Sequence, residues 1–309
     1  MIGILDKKKV EESPNNSYVH GYVVFQSVEE KSTRDGRSSY LSGNVQCVGS
    51  LPYKVWSNSS CFPMLKANSD AYLGSVCEIE AKVNVYEGQV SIIIDSIRVA
   101  DGEDGVPDVS EFYESRYDSN KYLGMLKSTV QKNCSSAAYE VFEEVLSGYE
   151  KEFKSEFAAI NHHDNCWSGL IGHTVKLVKM ASMLQMYPEL VKRCGGKDVL
   201  YVGLALHDIG KVIEYNNGSI SWEGKHLSHM VIGAMILCEM QNMITEKVGA
   251  EFFYTLVSIV SQHSGEYGDR PRTVAAYVAH MLDDLEARLT TLDSMAGSAQ
   301  ILYDGCKLN

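Results

Sequence analysis

The chain has 309 residues, 28 basic and 40 acidic, for a formal charge of −12. That balance excludes a general polyanion binder, which needs a basic surface to neutralise phosphates, so any nucleic-acid contact has to be local. The deficit is uneven: residues 1–100 hold 10 basic and 11 acidic side chains, residues 101–309 hold 18 and 29.

At the amino-terminal end the apolar run before Lys7 is too short for a signal peptide, and no later stretch approaches about 18 uncharged apolar residues. A soluble, cytoplasmic protein with no membrane partner is expected, with residues 1–17 as an extension. From Tyr18 to Val99 the pattern is period two or short β-branched runs: 18–25, 40–45, 51–56, 76–86 and 90–99. Asp35-Gly36 marks a hairpin turn in the basic segment Lys31 to Arg37, and Glu87-Gly88 marks another. Five short strands, with a less regular stretch between the third and fourth, predict a five-stranded OB-fold β-barrel over 18–100, a fold that often binds single-stranded nucleic acid. Tyr22, Phe25, Tyr40, Tyr53, Trp56 and Tyr86 divide between barrel core and base stacking.

The acidic run Asp101 to Pro107 reads as the start of a linker over 101–119. Beyond it the period becomes helical, and an all-α domain is expected over 120–295, with a tail over 296–309. Tyr122, Leu123, Leu126 and Val130 form one stripe. Val141, Phe142, Val145 and Leu146 form another, and Leu177, Met180, Ala181 and Leu184 follow His173. Helices are expected near 198–208, 226–242, 250–263 and 272–292. Eight cysteines are scattered singly without a CxxC pair, which fits free thiols better than disulfides.

Only His20 lies in the first half, whereas eight histidines fall within 162–280. Such clustering of the commonest metal ligand and general base points to chemistry there. The run Val199 to Leu206 is apolar all round, so its helix should be buried, and it ends in His207-Asp208-Ile209-Gly210-Lys211. Burying an adjacent imidazole and carboxylate is costly without a partner, and a divalent cation is the natural one; a His-Asp pair that merely hydrogen-bonds is the bland alternative.

The order His173, then His207-Asp208, then His229, His263 and Asp283 resembles the HD superfamily of metal-dependent phosphohydrolases. The likeness extends further. Gly169-Leu-Ile-Gly-His173-Thr, Ala205-Leu-His207-Asp208-Ile-Gly-Lys211, Glu223-Gly-Lys-His-Leu-Ser-His229-Met-Val-Ile-Gly and Ser261-Gln-His263, together with the amino-terminal strands, resemble the YhaM-type 3′-5′ exoribonucleases over about residues 18–292. The resemblance implies stepwise removal of nucleotides from the 3′ end of single-stranded RNA, or DNA, and a homo-oligomer. It departs at Gly172, where the family often has an acidic residue, at Gln262-His263-Ser264, where the family has His-His-Gly, and at His162-His163, which sit one residue out of register. A Gln carbonyl binds metal weakly, so Gln262 bears on the second metal.

From the ligand types, His173, His207, Asp208 and Asp283 can hold one metal while Asp208 bridges to a second held by His229 and His263. Two divalent ions about 3.5–4 Å apart would activate a water for in-line attack at phosphorus. The mixed imidazole and carboxylate ligands together with the resemblance favour Mn2+, with Mg2+, Co2+, Fe2+ or Ni2+ as substitutes. Asp208 and Lys211 are the expected catalytic residues, Lys211 neutralising a phosphate oxygen, although a solvated helix-end lysine fits its position equally well. Candidate substrate contacts are Lys31, Arg34, Arg37 and Trp56 in the barrel, and Trp222, Glu223, Tyr267 and Arg270 near the histidines. The alternative function is an HD phosphodiesterase acting on a small nucleotide, such as a cyclic dinucleotide or a dNTP. A binding module with a silent HD domain is the third reading.

Overall fold

The alternating β-branched runs become strands β1 (Tyr18–Phe25), β2 (Glu29–Ser32), β3 (Ser39–Cys47), β4 (Gly49–Trp56), β5 (Val76–Tyr86) and β6 (Gln89–Val99). The computed structural model describes residues 2–160, 165–265 and 268–296, with backbone alone for 293–296. Strand β1 pairs antiparallel with both β5 and β3, β3 with β4, and β5 with β6, while β4 runs parallel to β6. Following these pairings returns to β1, so five strands close into an OB-fold barrel, which leaves no long edge open to other chains. β2, absent from the expected five, is an added edge on β3.

Alternation then sorts the side chains. Leu51, Tyr53 and Val55 of β4 and Ile92 and Ile94 of β6 are buried together with Phe25 and Leu41, whereas Lys54 and Trp56 face outward. Tyr22, Phe25 and Tyr53 are therefore core, with Phe25 and Tyr53 edge to face at 5.0 Å. They are removed from the stacking candidates.

Contacts divide the chain into two units: Met1–Glu114 with Tyr215–Lys225, and Ser115–Glu214 with His226–Asn309. The first is wider than the strands alone suggest. Leu5 and Val10, on either side of the start of helix Lys7–Glu12, are buried in the barrel core. Phe112 lies buried with Tyr22, Val24, Val76 and Ala100. Apolar side chains thus draw in parts of the expected extension and linker. More distant in sequence is the hairpin of β7 (Tyr215–Asn216) and β8 (Ser219–Ile220). Within this unit Asn216 Nδ2 donates to Leu73 O and Asn217 Nδ2 to Gly74 O, both at 2.9 Å, and Ser219 Oγ donates to Phe25 O at 2.9 Å. The barrel unit is thus not confined to 18–100, nor the second unit to one continuous stretch.

The second unit is helical among its described residues. Helix Lys197–Leu206 carries the all-apolar run, and Val199 to Leu206 are buried as expected. Around it lie Ser119–Asn133, Ser136–Ser147, Gly169–Met180 and Ala250–Gln262, which share one hydrophobic core with it. Asp118 and Ser135 cap the first two of these, each accepting a backbone N–H with its side chain. The helix carrying His173 starts at Gly169 and tightens to a 3-10 turn over Ala181–Met186. Among the described residues no helix is long and apolar enough to cross a membrane, and Cys47, Cys61, Cys77, Cys134, Cys166, Cys194 and Cys238 are free thiols.

Candidate metal centre

Five segments of the second unit bring six side chains to one spot. His173 comes from the second turn of helix Gly169–Met180, and His207 and Asp208 from the turn that ends the buried helix. His229 opens helix His229–Glu239, His263 follows helix Ala250–Gln262, and Asp283 lies within helix Val274–Ala296. Gly210 makes the close approach possible: a Cβ there would lie 1.9 Å from the carbonyl oxygen of His229. Their ligand atoms form three overlapping groups, each with all atoms within 4.8 Å of one another: His173 with His207 and Asp208, His207 with His263 and Asp283, and Asp208 with His229 and His263.

Asp208, 3% exposed at its side chain, divides the cluster. Its Oδ2 lies 3.2 Å from His207 Nε2 and 3.8 Å from His173 Nε2, and Asp283 Oδ1 completes that half at 3.1 Å from His173 Nε2. Its Oδ1 faces His263 Nε2 at 3.4 Å and His229 Nε2 at 3.5 Å.

The tautomers follow from the other ring nitrogen. His207 Nδ1 lies 2.9 Å from Leu204 O and His263 Nδ1 lies 3.0 Å from Val260 O, acceptors that require an N–H. His173 Nδ1 meets Glu286 Oε2 at 2.5 Å, and His229 Nδ1 meets Glu214 Oε2 at 3.0 Å. In the neutral rings all four Nε2 atoms therefore turn lone pairs inward. Oδ1 of Asp208 is buried and accepts no hydrogen bond. Lone pairs converging on an orphaned carboxylate oxygen are a cation site by construction.

Burial and mutual pairing shift the ionisation of the cluster. Burial works against charged His173, but hydrogen bonds to Asp283 and Glu286 outweigh it and lift its pKa to about 10. Burial opposes ionisation of Asp208 also, yet the charges of His207 and Lys211 hold its carboxyl well below the usual range. Asp283 is likewise lowered, burial being overcome first by the hydrogen bond with His173. Glu286 falls to about 2, against its burial, through His173 and then Lys176.

Lys211 does not project into open space. Its ammonium lies 2.7 Å from Asp208 Oδ2 and donates to Ala158 O, with the side chain 11% exposed. Gln262 also faces away from the ligands: its Oε1 accepts from Arg272 N at 2.9 Å and from Ser258 Oγ at 3.1 Å. Its carbonyl is thus committed to the backbone of the following loop and to Ser258. Arg270 in that loop is exposed; Tyr267 and the His162-His163 pair lie outside the described residues.

Of the barrel candidates, Arg34 and Arg37 are exposed in the turn after β2, with Arg37 3.9 Å from Asp35. Lys31, Tyr40 and Trp56 stand side by side across β2, β3 and β4, in register on the outer face. The Tyr40 and Trp56 rings are 5.2 Å apart, and Lys54 Nζ lies 5.7 Å from the Tyr40 centroid. Trp222 and Glu223 are exposed and belong to the barrel unit. Sequence reasoning missed Glu214 and Glu286; the one local signal was the three-residue step from Asp283 to Glu286 that puts both on one helix face.

Residues 170–289 match the HD domain family. All six converging side chains lie inside that match, which indicates metal-dependent phosphohydrolase chemistry. Among solved structures, the chain is similar to the second OB-fold domain of replication protein A from Methanococcus maripaludis, at 16% identity over 30% of this chain and 93% of that one, with a TM-score of 0.22. A replication protein A heterotrimer bound to ssDNA matches at 11% identity, covering 33% of this chain and 66% of that one, TM-score 0.22. Asparaginyl-tRNA synthetase from Pyrococcus horikoshii matches at 17%, covering 52% and 38%, TM-score 0.25. These scores are too low to relate whole chains, and the OB-fold rests instead on the strand closure itself.

Proposed function

We propose that this protein is a metal-dependent exonuclease that shortens single-stranded RNA, and single-stranded DNA as a second substrate, from the 3′ end. The observation that carries the reading is the inward turn of four histidine Nε2 atoms onto the two oxygens of Asp208, inside the stretch that matches an HD domain. The residues fit two divalent ions. His173, His207, Asp283 and Asp208 Oδ2 would hold one, and His229, His263 and Asp208 Oδ1 the other, a mixed donor set suited to Mn2+. When bound, such ions supply the Lewis acidity that activates water and offsets charge at a phosphodiester.

The chain's own residues supply the rest. Asp208 orients both halves, and Lys211 holds its carboxylate in place from the Oδ2 side. On the barrel, the row of Lys31, Tyr40 and Trp56 offers a half-buried aromatic pair beside cations, the combination that stacks unpaired bases without reading sequence. The preference for RNA and the 3′-to-5′ direction come from the resemblance of the motif series to YhaM-type enzymes. A second reading, hydrolysis of a small nucleotide, is favoured by the net charge of −12, since a small substrate needs no basic track.

The test incubates purified protein with 5′-labelled single-stranded RNA and Mn2+, beside Asp208→Ala. A ladder shortening from the 3′ end, absent in the variant, supports the exonuclease. Intact RNA together with hydrolysis of a cyclic dinucleotide replaces it with the second reading.

A further inference from the structure

The four histidines are not backed alike. His207 and His263 rest Nδ1 on a backbone carbonyl three residues earlier, Leu204 O and Val260 O, which are neutral dipoles. His173 and His229 rest Nδ1 on carboxylates, Glu286 and Glu214. The division is symmetric: each oxygen of Asp208 faces one histidine of each kind. Glu286 is buried, 3% exposed, and its other oxygen is fixed 2.7 Å from Lys176 Nζ and 2.6 Å from Thr290 Oγ1. Glu214 takes the backbone N–H of His229 at 2.9 Å as well as its ring, so one carboxylate sets both the start of the helix and the rotamer of its first residue. A carboxylate behind an imidazole raises the basicity of the opposite nitrogen and locks its aim.

We infer that Glu286 and Glu214 are positioning residues that each charge one ligand histidine, one in either half of the cluster, and thereby set how tightly each half holds its divalent cation. This rests on the metal-binding reading above. It also makes the halves unequal: Glu286 shares its charge with Lys176, and its half already contains Asp283, whereas among the described residues the other half has Asp208 Oδ1 as its one carboxylate and depends more heavily on Glu214.

The experiment titrates metal-free full-length protein with Mn2+, reading free Mn2+ by electron paramagnetic resonance and folding by thermal melting. Wild type is expected to bind two ions. Glu286→Gln and Glu214→Gln keep size and an acceptor oxygen but remove the charge, and each should weaken one class of site by about 10–100-fold. Glu286→Gln should cost nothing further in a His173→Ala background, and Glu214→Gln nothing further in a His229→Ala background. Lys176→Met probes the first pair from the other side, because it leaves more of the Glu286 charge on His173 and should tighten that half. Both Gln variants binding Mn2+ within twofold of wild type, or Lys176→Met loosening it, overturns the inference and leaves the metal reading standing. Wild type that binds no Mn2+ overturns both.

Discussion

The ring of Tyr117 occupies the space beside Gly172 so closely that a Cβ on Gly172 would lie 2.4 Å from its Cε2. That packing leaves no room for a side chain just before His173: Tyr117 stands where it would begin. Gly172→Ala should therefore force the ring aside and cost about 1–3 kcal/mol. Thermal melting of the single variants and of Gly172→Ala combined with Tyr117→Ala checks it, since the added methyl should be nearly neutral once the ring is gone.

Removal of metal should destabilise the protein, because a cation that binds only the folded cluster stabilises it by mass action. At a free ion concentration of 100 times Kd the gain is about 2.7 kcal/mol. A chelator should lower Tm by the corresponding amount in wild type and leave the Tm of Asp208→Ala unmoved. An unchanged wild-type melt would speak against a bound cation.

Gln262→His, which creates a His-His pair with His263, should not add a metal. Position 262 points at Arg272 N and Ser258 rather than at the ligands. The expected result is unaltered metal stoichiometry by elemental analysis and a lower Tm, by about 0.5–1.5 kcal/mol of stability, from loss of the part-buried hydrogen bond that Arg272 N–H makes to Gln262.

Trp56→Ala should weaken binding of a single-stranded oligonucleotide by about 1–3 kcal/mol, the worth of one stacked base. Tyr86, exposed on the barrel but outside the Lys31, Tyr40 and Trp56 row, provides the comparison, and Tyr86→Ala should bind as wild type does. Equal losses in both variants, measured by fluorescence anisotropy, would remove the row as the contact.

The ligand cluster was legible because each of its members sits at a helix end or on an apolar helix, where period and motif order show. The strands were legible for a similar reason, as β-branched alternation survives without partners. Glu214 and Glu286 were not, because what marks them is the ring nitrogen they face, and a carboxylate on a helix reads as solvated until its neighbour is known. Tyr117 escaped in the same way, 55 residues from the glycine it covers. The hairpin carried a readable turn, Asn217-Gly218, with both residues at positive φ. What no local pattern could give is that its polar side chains bond to carbonyls of Phe25, Leu73 and Gly74, more than 140 residues earlier.

That hairpin also decides how the chain can be divided. Because Tyr215–Lys225 belongs to the barrel unit, the backbone passes between the units at residue 114, at 214 and again at 225. A protease cut after Glu114 would leave a carboxy-terminal fragment still carrying the hairpin, and an amino-terminal fragment holding the carbonyls of Phe25, Leu73 and Gly74 to which the Asn216, Asn217 and Ser219 side chains donate. In such a nicked protein the bonds of this hairpin to the barrel would join two chains where they now join one.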